Sequence, residues 1–446
     1  MAAEWGKGEV GAGGPGDVIP HCKRRVALGM RSFWSNHKRF GVGKRLTAWR
    51  LEMVAVATAV LGLGLQAKGL EGVFSLDKLR EVDATIESAI AAGQCPGGVL
   101  WLEREGQAYV RAYGRRALEP EPEPMTEDTV FDVASLTKVI ATAPAVMVLV
   151  EHGLLELDQP VARYWPEFGR EGKEQLTLRH LLTHTSGLRA GFASRPEWSG
   201  AAAALAKICE EKPLAPAGSA FVYSDLNFIV LGEVVRRVSG QPLDEFCQQW
   251  LFRPLRMRQT RFRPGPELLA RVAPTERLPS GEVLRGTVHD PTARRMGGVA
   301  GHAGLFSTAE DLAHFARMLL RLGAVDGWPL LRPETVRLMT SVQTPALLPV
   351  RRGLGWDIDS PYSAPRGRWF PLGSYGHTGW TGCSLWIDPS SGTFVLFLSN
   401  RNHPTERGNL QELRYQLGTL AAEAVKGFPF AQGPGTLPAR EAAIRK

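Results

Sequence analysis

Residues 129–153 read TVFDVASLTKVIATAPAVMVLVEHG, and this stretch decides the fold. A short extended run leads into Ser135, and a segment that is apolar nearly all round follows. A helix without a polar face belongs at the centre of a protein. Pro144 is expected to kink it near Ala143, and Gly153 to end it. Ser135 and Lys138 stand three residues apart, so on a helix they share a face and set an amine beside a hydroxyl. An uncharged lysine can take the proton a serine must lose to become a nucleophile. The same Ser-x-x-Lys spacing occurs at Ser35/Lys38 and Ser75/Lys78. Only Ser135 stands at the head of a buried helix, whose N-terminus favours developing negative charge. The plain alternative for Ser135 is a helix cap, with Lys138 incidental.

Toward the N-terminus, residues 53–67 read MVAVATAVLGLGLQA, an apolar run that follows Lys44, Arg45 and Arg50 and ends on a small residue. A basic flank, an apolar run and a small terminal residue together read as a secretory signal peptide. The run is shorter than the roughly 20 residues of a membrane span, so a retained anchor, with membrane association, is the secondary reading. Residues 1–67 are therefore a leader, with Met30 or Met53 as alternative starts. Residues 68–430 are a single domain, and 431–446 a flexible tail. The expected location is exported, either periplasmic or secreted. The formal charge of +8 sits mostly in the leader, where residues 1–52 carry 10 Lys/Arg against 4 Asp/Glu. That distribution removes nucleic acid as a partner. Four of the five cysteines lie beyond the leader, with neither C-x-x-C nor metal-type spacing. Scattered core thiols are expected, although export would permit a disulfide.

Downstream of the leader, Ser75 caps a helix to about Ala92, with Leu76, Leu79, Val82, Ile86 and Ile90 on one stripe. Lys78 then lies on its solvated face. Val99–Leu102 and Ala108–Ala112 read as a hairpin about Glu105-Gly106. The run EPEPEP at 119–124 is a stiff connection. After the buried helix, Thr177 caps LRHLLTHTSGL, with Gly187 closing that helix. Ser307-Thr-Ala-Glu310 fits a capping box ahead of a helix through Leu320. The loop MGGVAGHAG at 296–304 needs close backbone approach. Ser384–Asp388 and Thr393–Ser399 flank Pro389-Ser-Ser-Gly392 as a second hairpin, and a helix over 408–426 ends the fold. Strands near both ends with helices between them imply an α+β fold: an antiparallel sheet flanked by helices, carrying a helix-rich insertion.

Three elements now stand in order: Ser135-x-x-Lys138, Tyr223-Ser-Asp225 and His377-Thr-Gly379. With Leu178-RHLLTHTSGL, Gly298-VAGHAGLFSTAEDL and Gly376-HTGWTGCSLWIDP, they resemble the serine β-lactamase and penicillin-binding protein family over about residues 75–425. The class C-like branch is the most similar, with its class C β-lactamases, D-Ala-D-Ala carboxypeptidases, D-aminopeptidases and β-lactamase-like esterases. The resemblance implies a β-lactamase/transpeptidase-like fold and an acyl-enzyme on Ser135. It implies that Lys138 takes or shuttles the serine proton and that Tyr223 shares the base role. The backbone N–H groups of Ser135 and Trp380 would form an oxyanion hole, and Asp225, His377, Thr378 and Gly379 would line the substrate site.

Two residues depart from the family's pattern. Its second motif commonly ends in Asn, but an ionised Asp225 can only accept hydrogen bonds. It would hold Lys138 charged and move the base role toward Tyr223; the alternative for Asp225 is the N-cap of the next helix. The third motif often begins with Lys, and His377, near neutral at pH 7, would grip a substrate carboxylate less firmly. Both changes suit an esterase or peptidase better than an efficient penicillinase. His184, His289 with Asp290, and His302 lack metal-ligand spacing and are read as hydrogen-bonded structural histidines. No metal or organic cofactor is expected. Trp380 and Tyr375 are candidates for lining the pocket or for the core. The expected substrate is a small molecule or cell-wall peptide, either a D-peptide amide or a small ester. The alternative of another class is a module that binds cell-wall fragments or penicillin without turnover.

Overall fold

The structure is a computed structural model that describes residues 69–192, 197–406 and 408–435. The proposed leader, with its apolar run, lies outside the described residues. At the other end, a 3-10 turn spans Phe430–Gln432, and the Pro434 carbonyl accepts from Leu372 N–H at 2.8 Å, inside the stretch read as a tail.

Eight antiparallel strands form the main sheet. Across it the order is Glu123–Pro124, Gln107–Ala117, Gly97–Arg104, Thr393–Ser399, Ser384–Asp388, Tyr375–Thr378, Asp357–Asp359 and Arg351–Arg352. The first long strand pairs with the last, from Gly98 opposite Ser399 to Arg104 opposite Thr393. The two ends of the domain therefore meet in mid-sheet, and the helical part is inserted between them, the α+β arrangement expected. The first hairpin turns on Glu105 and Gly106, with φ of 51° and 75°. Positive φ at both central residues matches the twist of the paired strands.

Helix Leu76–Ala91, capped by Ser75, packs with the terminal helix Gln411–Ala424 on one face of the sheet. Leu79, Val82 and Ile86 meet Leu413, Leu417 and Ala421 over Trp386 and Phe397, all buried. Each of the Leu, Val, Ile and Phe side chains taken fully out of water contributes about 1.5–3 kcal/mol. Helix Ala309–Leu320 contacts other parts of the same strands, and Arg317 holds both oxygens of the buried Glu103 carboxylate at 2.6 Å. Its cap is Thr308, not Ser307: Thr308 accepts from Asp311 N–H, while Ser307 ends a strand and bonds Thr260. The four cysteines at 95, 209, 247 and 383 are free thiols.

The stretch 134–151 is the buried centre, as its composition requires, with Val139, Ile140, Val146 and Leu149 at 0% exposure. It is not one uniform helix. A 3-10 turn at Ala134–Leu136 passes into a π turn at Lys138–Thr142, and only then into α-helix Ala143–Glu151. Where a kink was expected, the helix changes type. Pro144 stands at the start of the α segment, one residue after Ala143, where the π turn gives way to it. Gly187 plays another part than the stop read from sequence. The helix ends at Leu182, and a Cβ at Gly187 would lie 2.0 Å from the Ala215 carbonyl oxygen.

The glycine-rich loop lies against this centre. Thr142 Oγ1 donates to the Gly301 carbonyl at 2.6 Å, and a Cβ on Gly301 would meet the Phe228 carbonyl oxygen at 2.0 Å. Gly301→Ala must therefore displace backbone. We expect it to lose about 2 kcal/mol or more in urea unfolding. Gly191→Ala, with open space around its added carbon, is expected to stay within about 0.5 kcal/mol of the parent. Equal stability of the two variants would contradict the packing described.

Candidate active site

Ser135 leaves a turn that the chain holds under strain. Ala134, just before it, has φ of 47°, a left-handed value costly for any residue with a Cβ. The Asp132 carboxylate fixes this turn by accepting from Ala134 N–H at 2.9 Å and from His289 N–H at 2.7 Å. From the other side, Thr381 Oγ1 donates to the Asp132 carbonyl at 2.7 Å. The third motif closes in as well: a Cβ on Gly379 would lie 2.5 Å from the Val133 carbonyl oxygen. The glycine of His377-Thr-Gly379 is thus required by contact with the backbone that carries Ser135.

Lys138 follows one turn later and is 0% exposed. Its Nζ lies 3.0 Å from Ser135 Oγ, donates to the His302 carbonyl at 3.1 Å, and stands 2.7 Å from Asp225 Oδ1. The Tyr223 ring centroid is 5.0 Å away. Burial drives the Lys138 pKa down, but the Asp225 charge and the Tyr223 phenol outweigh it and hold the amine above its ordinary value. Lys138 is therefore an ammonium that donates toward Ser135.

The second motif opens helix Asp225–Ser239, with Ser224 at the N-cap position. The N-cap reading of Asp225 is therefore replaced: its carboxylate faces Lys138 instead. Ser224 is anchored by its Oγ to the Arg189 carbonyl at 2.6 Å and by its N–H to His184 Nδ1 at 3.0 Å. The His184 ring also stacks on Tyr223, with centroids 4.5 Å apart. It is a structural histidine, as expected, and what it orients is the second motif.

His377 lies on strand Tyr375–Thr378, with Nδ1 2.8 Å from the Thr378 carbonyl. Burial first, and then the positive charges of Arg352 and Lys138, hold its pKa well below the ordinary histidine value. The neutral side chain inferred from sequence is thus reinforced by its surroundings. Tyr375 is core, packed edge-on against Trp356 at 5.1 Å, whereas Trp380 is 60% exposed.

Ser135, Tyr223, His377, Thr378, Gly379 and Trp380 all line one cavity of about 560 Å³, and Lys138 joins them through Ser135 and Asp225 through Lys138. All eight residues singled out from sequence thus converge. A larger groove of about 720 Å³ between the first and terminal helices contains no serine–lysine pair. Sequence reasoning missed Asp132, Tyr362, Arg352, Arg401 and Arg414, of which all but Asp132 line the cavity. Isolated arginines and tyrosines carry no spacing signal. Arg352 is 0% exposed, is 3.5 Å from Asp357 Oδ1, and lies 5.8 Å from the Tyr223 ring.

The donor atoms of Asp225, Asp290 and His302 lie within 4.8 Å of one another, as do those of Glu276, His289 and Glu406. The first group already faces a cation, the Lys138 ammonium, and His302 Nε2 bonds Asp290 at 2.8 Å. In the second, His289 Nε2 is 3.0 Å from the Asn402 amide. Neither group needs an ion to account for its geometry.

His184 shares with His377 a strongly lowered pKa, from burial first and then from Arg352 and Lys138. Above pH about 6.5 these histidines are neutral folded or unfolded, so their contribution is constant. As the pH falls below that value, the unfolded chain binds protons that the folded chain refuses. Stability then falls by about 1.4 kcal/mol per pH unit for each group, until the folded pKa is reached. His184→Asn keeps an acceptor for Ser224 N–H and tolerates the local φ of 58°. Urea unfolding between pH 7 and 5 should show a shallower slope in the variant by about one group's worth, and identical slopes would refute the assignment.

Residues 82–419 match the family model described as Beta-lactamase. The chain is 33% identical over 381 residues to a protein of Bacillus subtilis (strain 168) named N-acetylmuramyl-L-alanine amidase, covering 76% of this chain and 86% of that one. It is 31% identical over 370 residues to a provisionally named D-alanyl-D-alanine carboxypeptidase of Escherichia coli (strain K12), covering 74% and 84%. A penicillin-binding protein homologue from Caulobacter crescentus shares the fold, with a TM-score of 0.63, 24% identity, and coverage of 78% and 97%. With a family model spanning three quarters of its length and a relative at this identity, the chain belongs to the beta-lactamase family of serine hydrolases.

Proposed function

We propose that the protein is an exported hydrolase that cleaves an amide or ester beside a D-amino acid in cell-wall peptides, through an ester on Ser135. The observation that carries this reading is Ser135 Oγ 3.0 Å from a buried ammonium, in a cavity that Tyr223 also lines. Asp225 keeps Lys138 protonated, so the serine proton passes to Tyr223, which accepts it as the phenolate and not as the neutral phenol. The ammonium beside it offsets the negative charge that the phenol and serine oxygens share as Ser135 attacks the carbonyl carbon. The N–H groups of Ser135 and Trp380 take the charge that develops on the carbonyl oxygen, a contribution of roughly 3–4 kcal/mol for one donor in comparable enzymes. The proton then passes to the leaving amine or alcohol, and water releases the acyl group.

The neutral His377 leaves recognition of a substrate carboxylate to other groups. Arg352, fully buried against the same cavity and balanced in part by Asp357, lends it a positive field. This supports a peptide substrate over a neutral ester. The names of the relatives, a muramyl-L-alanine amidase and a D-alanyl-D-alanine carboxypeptidase, point to cell-wall peptides as well.

Labelling by a fluorescent penicillin or a fluorophosphonate should be lost in Ser135→Ala, together with p-nitrophenyl ester turnover by about 1,000-fold or more. Retained turnover would exclude Ser135 as the nucleophile. Labelling-competent protein that turns over no peptide or ester would mark a binder. Across a panel of D-Ala-D-Ala peptides, muramyl-L-Ala amides and small esters, the best kcat/KM is expected for a peptide.

A further inference from the structure

The loop from Gly379 to Cys383 carries Trp380, and two arginines from distant segments hold it. Arg414, on the terminal helix, donates from Nη2 to the Gly379 carbonyl at 2.8 Å and to the Cys383 carbonyl at 3.0 Å. It thus bridges the two ends of the loop, which the Gly379 N–H also ties to the Cys383 carbonyl at 2.7 Å. Gly382 N–H adds a second donor to the Gly379 carbonyl at 3.1 Å. Arg401 comes from the far end of strand Thr393–Ser399, donates from Nε to the Trp380 carbonyl at 2.8 Å and lays its guanidinium over the Trp380 ring at 4.8 Å.

The Gly379 carbonyl and the Trp380 N–H are two ends of one planar amide. A charged donor on the carbonyl draws electron density from the nitrogen and makes its N–H a stronger donor, while fixing the plane in which that N–H points. We propose that Arg414 is a positioning residue for hydrolysis: it polarises and aims the Trp380 N–H at the oxyanion, with Arg401 holding the next carbonyl. This rests on the reading of the Trp380 N–H as an oxyanion donor. Burial pushes Arg414 down to about 10, so it keeps its charge at neutral pH. Arg414 also lines the cavity, but both hydrogen bonds from its Nη2 go to the loop backbone, so the effect belongs in kcat more than in substrate grip.

The test compares the parent with Arg414→Gln, Arg414→Lys, Arg401→Gln and Ser135→Ala, using a p-nitrophenyl ester and an arylboronic acid. The tetrahedral boron adduct on Ser135 places an oxygen where the oxyanion forms, so its Ki reports the hole without turnover. Arg414→Gln should lower kcat about 10- to 100-fold, raise the boronate Ki by a similar factor and leave KM within about twofold. Arg414→Lys, which keeps a charged donor, should recover part of both. Parent-like kcat and Ki in Arg414→Gln would overturn the proposal. So would a rise in KM at unchanged kcat, which would show Arg414 gripping substrate. Should Arg414→Gln fail to fold, Arg401→Gln decides: a fall in kcat and a matching rise in Ki, each about threefold or more, support the clamp, and parent values overturn it. Ester turnover that survives in Ser135→Ala would refute the nucleophile itself, an outcome separate from failure of the clamp alone.

Discussion

The structure around Ser135 depends on one ion pair, made by a fully buried ammonium. Lys138 has no exposure, and an ammonium taken out of water is costly unless a partner and further acceptors surround it. Asp225 at 2.7 Å, the His302 carbonyl at 3.1 Å and Ser135 Oγ at 3.0 Å are those partners. Each comes from a different segment: the helix after Tyr223-Ser-Asp225, the glycine-rich loop and the strained turn before Lys138. Satisfying one charge therefore fixes three parts of the chain relative to one another, and the serine is held among them.

Close backbone contacts make that convergence possible. Gly301 brings its loop against the Phe228 carbonyl, which lets the next residue offer its own carbonyl to Lys138. Gly379 does the same for the third motif against Val133. Ala134 accepts a left-handed φ so that Ser135 leaves the turn directed correctly, and Asp132 compensates with two accepted hydrogen bonds. The strain is local and sits next to the Ser135 hydroxyl, and strained backbone commonly serves a function.

The same centre separates charge by position. Asp225 keeps Lys138 charged, whereas burial and neighbouring cations keep His184 and His377 neutral. One histidine is thereby free to stack on Tyr223 and accept from Ser224, and the other leaves the positive field of the cavity to Arg352.

Read alone, the sequence determined the elements whose signals are local. The apolar stretch 134–151 had to be central because it has no polar face. Ser75 had to begin a helix, and Glu105-Gly106 had to turn a hairpin. The three short motifs were legible because each keeps its polar residues within four positions. Other features follow from groups far apart in the chain. The cap moved from Ser307 to Thr308 because Ser307 is taken by a strand and by Thr260, and Gly187 answers to the Ala215 carbonyl instead of ending a helix. The choice between N-cap and counter-ion for Asp225 was settled by Lys138, 87 positions earlier. Arg352, Arg401 and Arg414 reach the cavity only because sheet pairing and the terminal helix bring them there. A side chain acting on a distant backbone carbonyl leaves no pattern in its own neighbours, and for that reason only the tertiary structure decided these contacts.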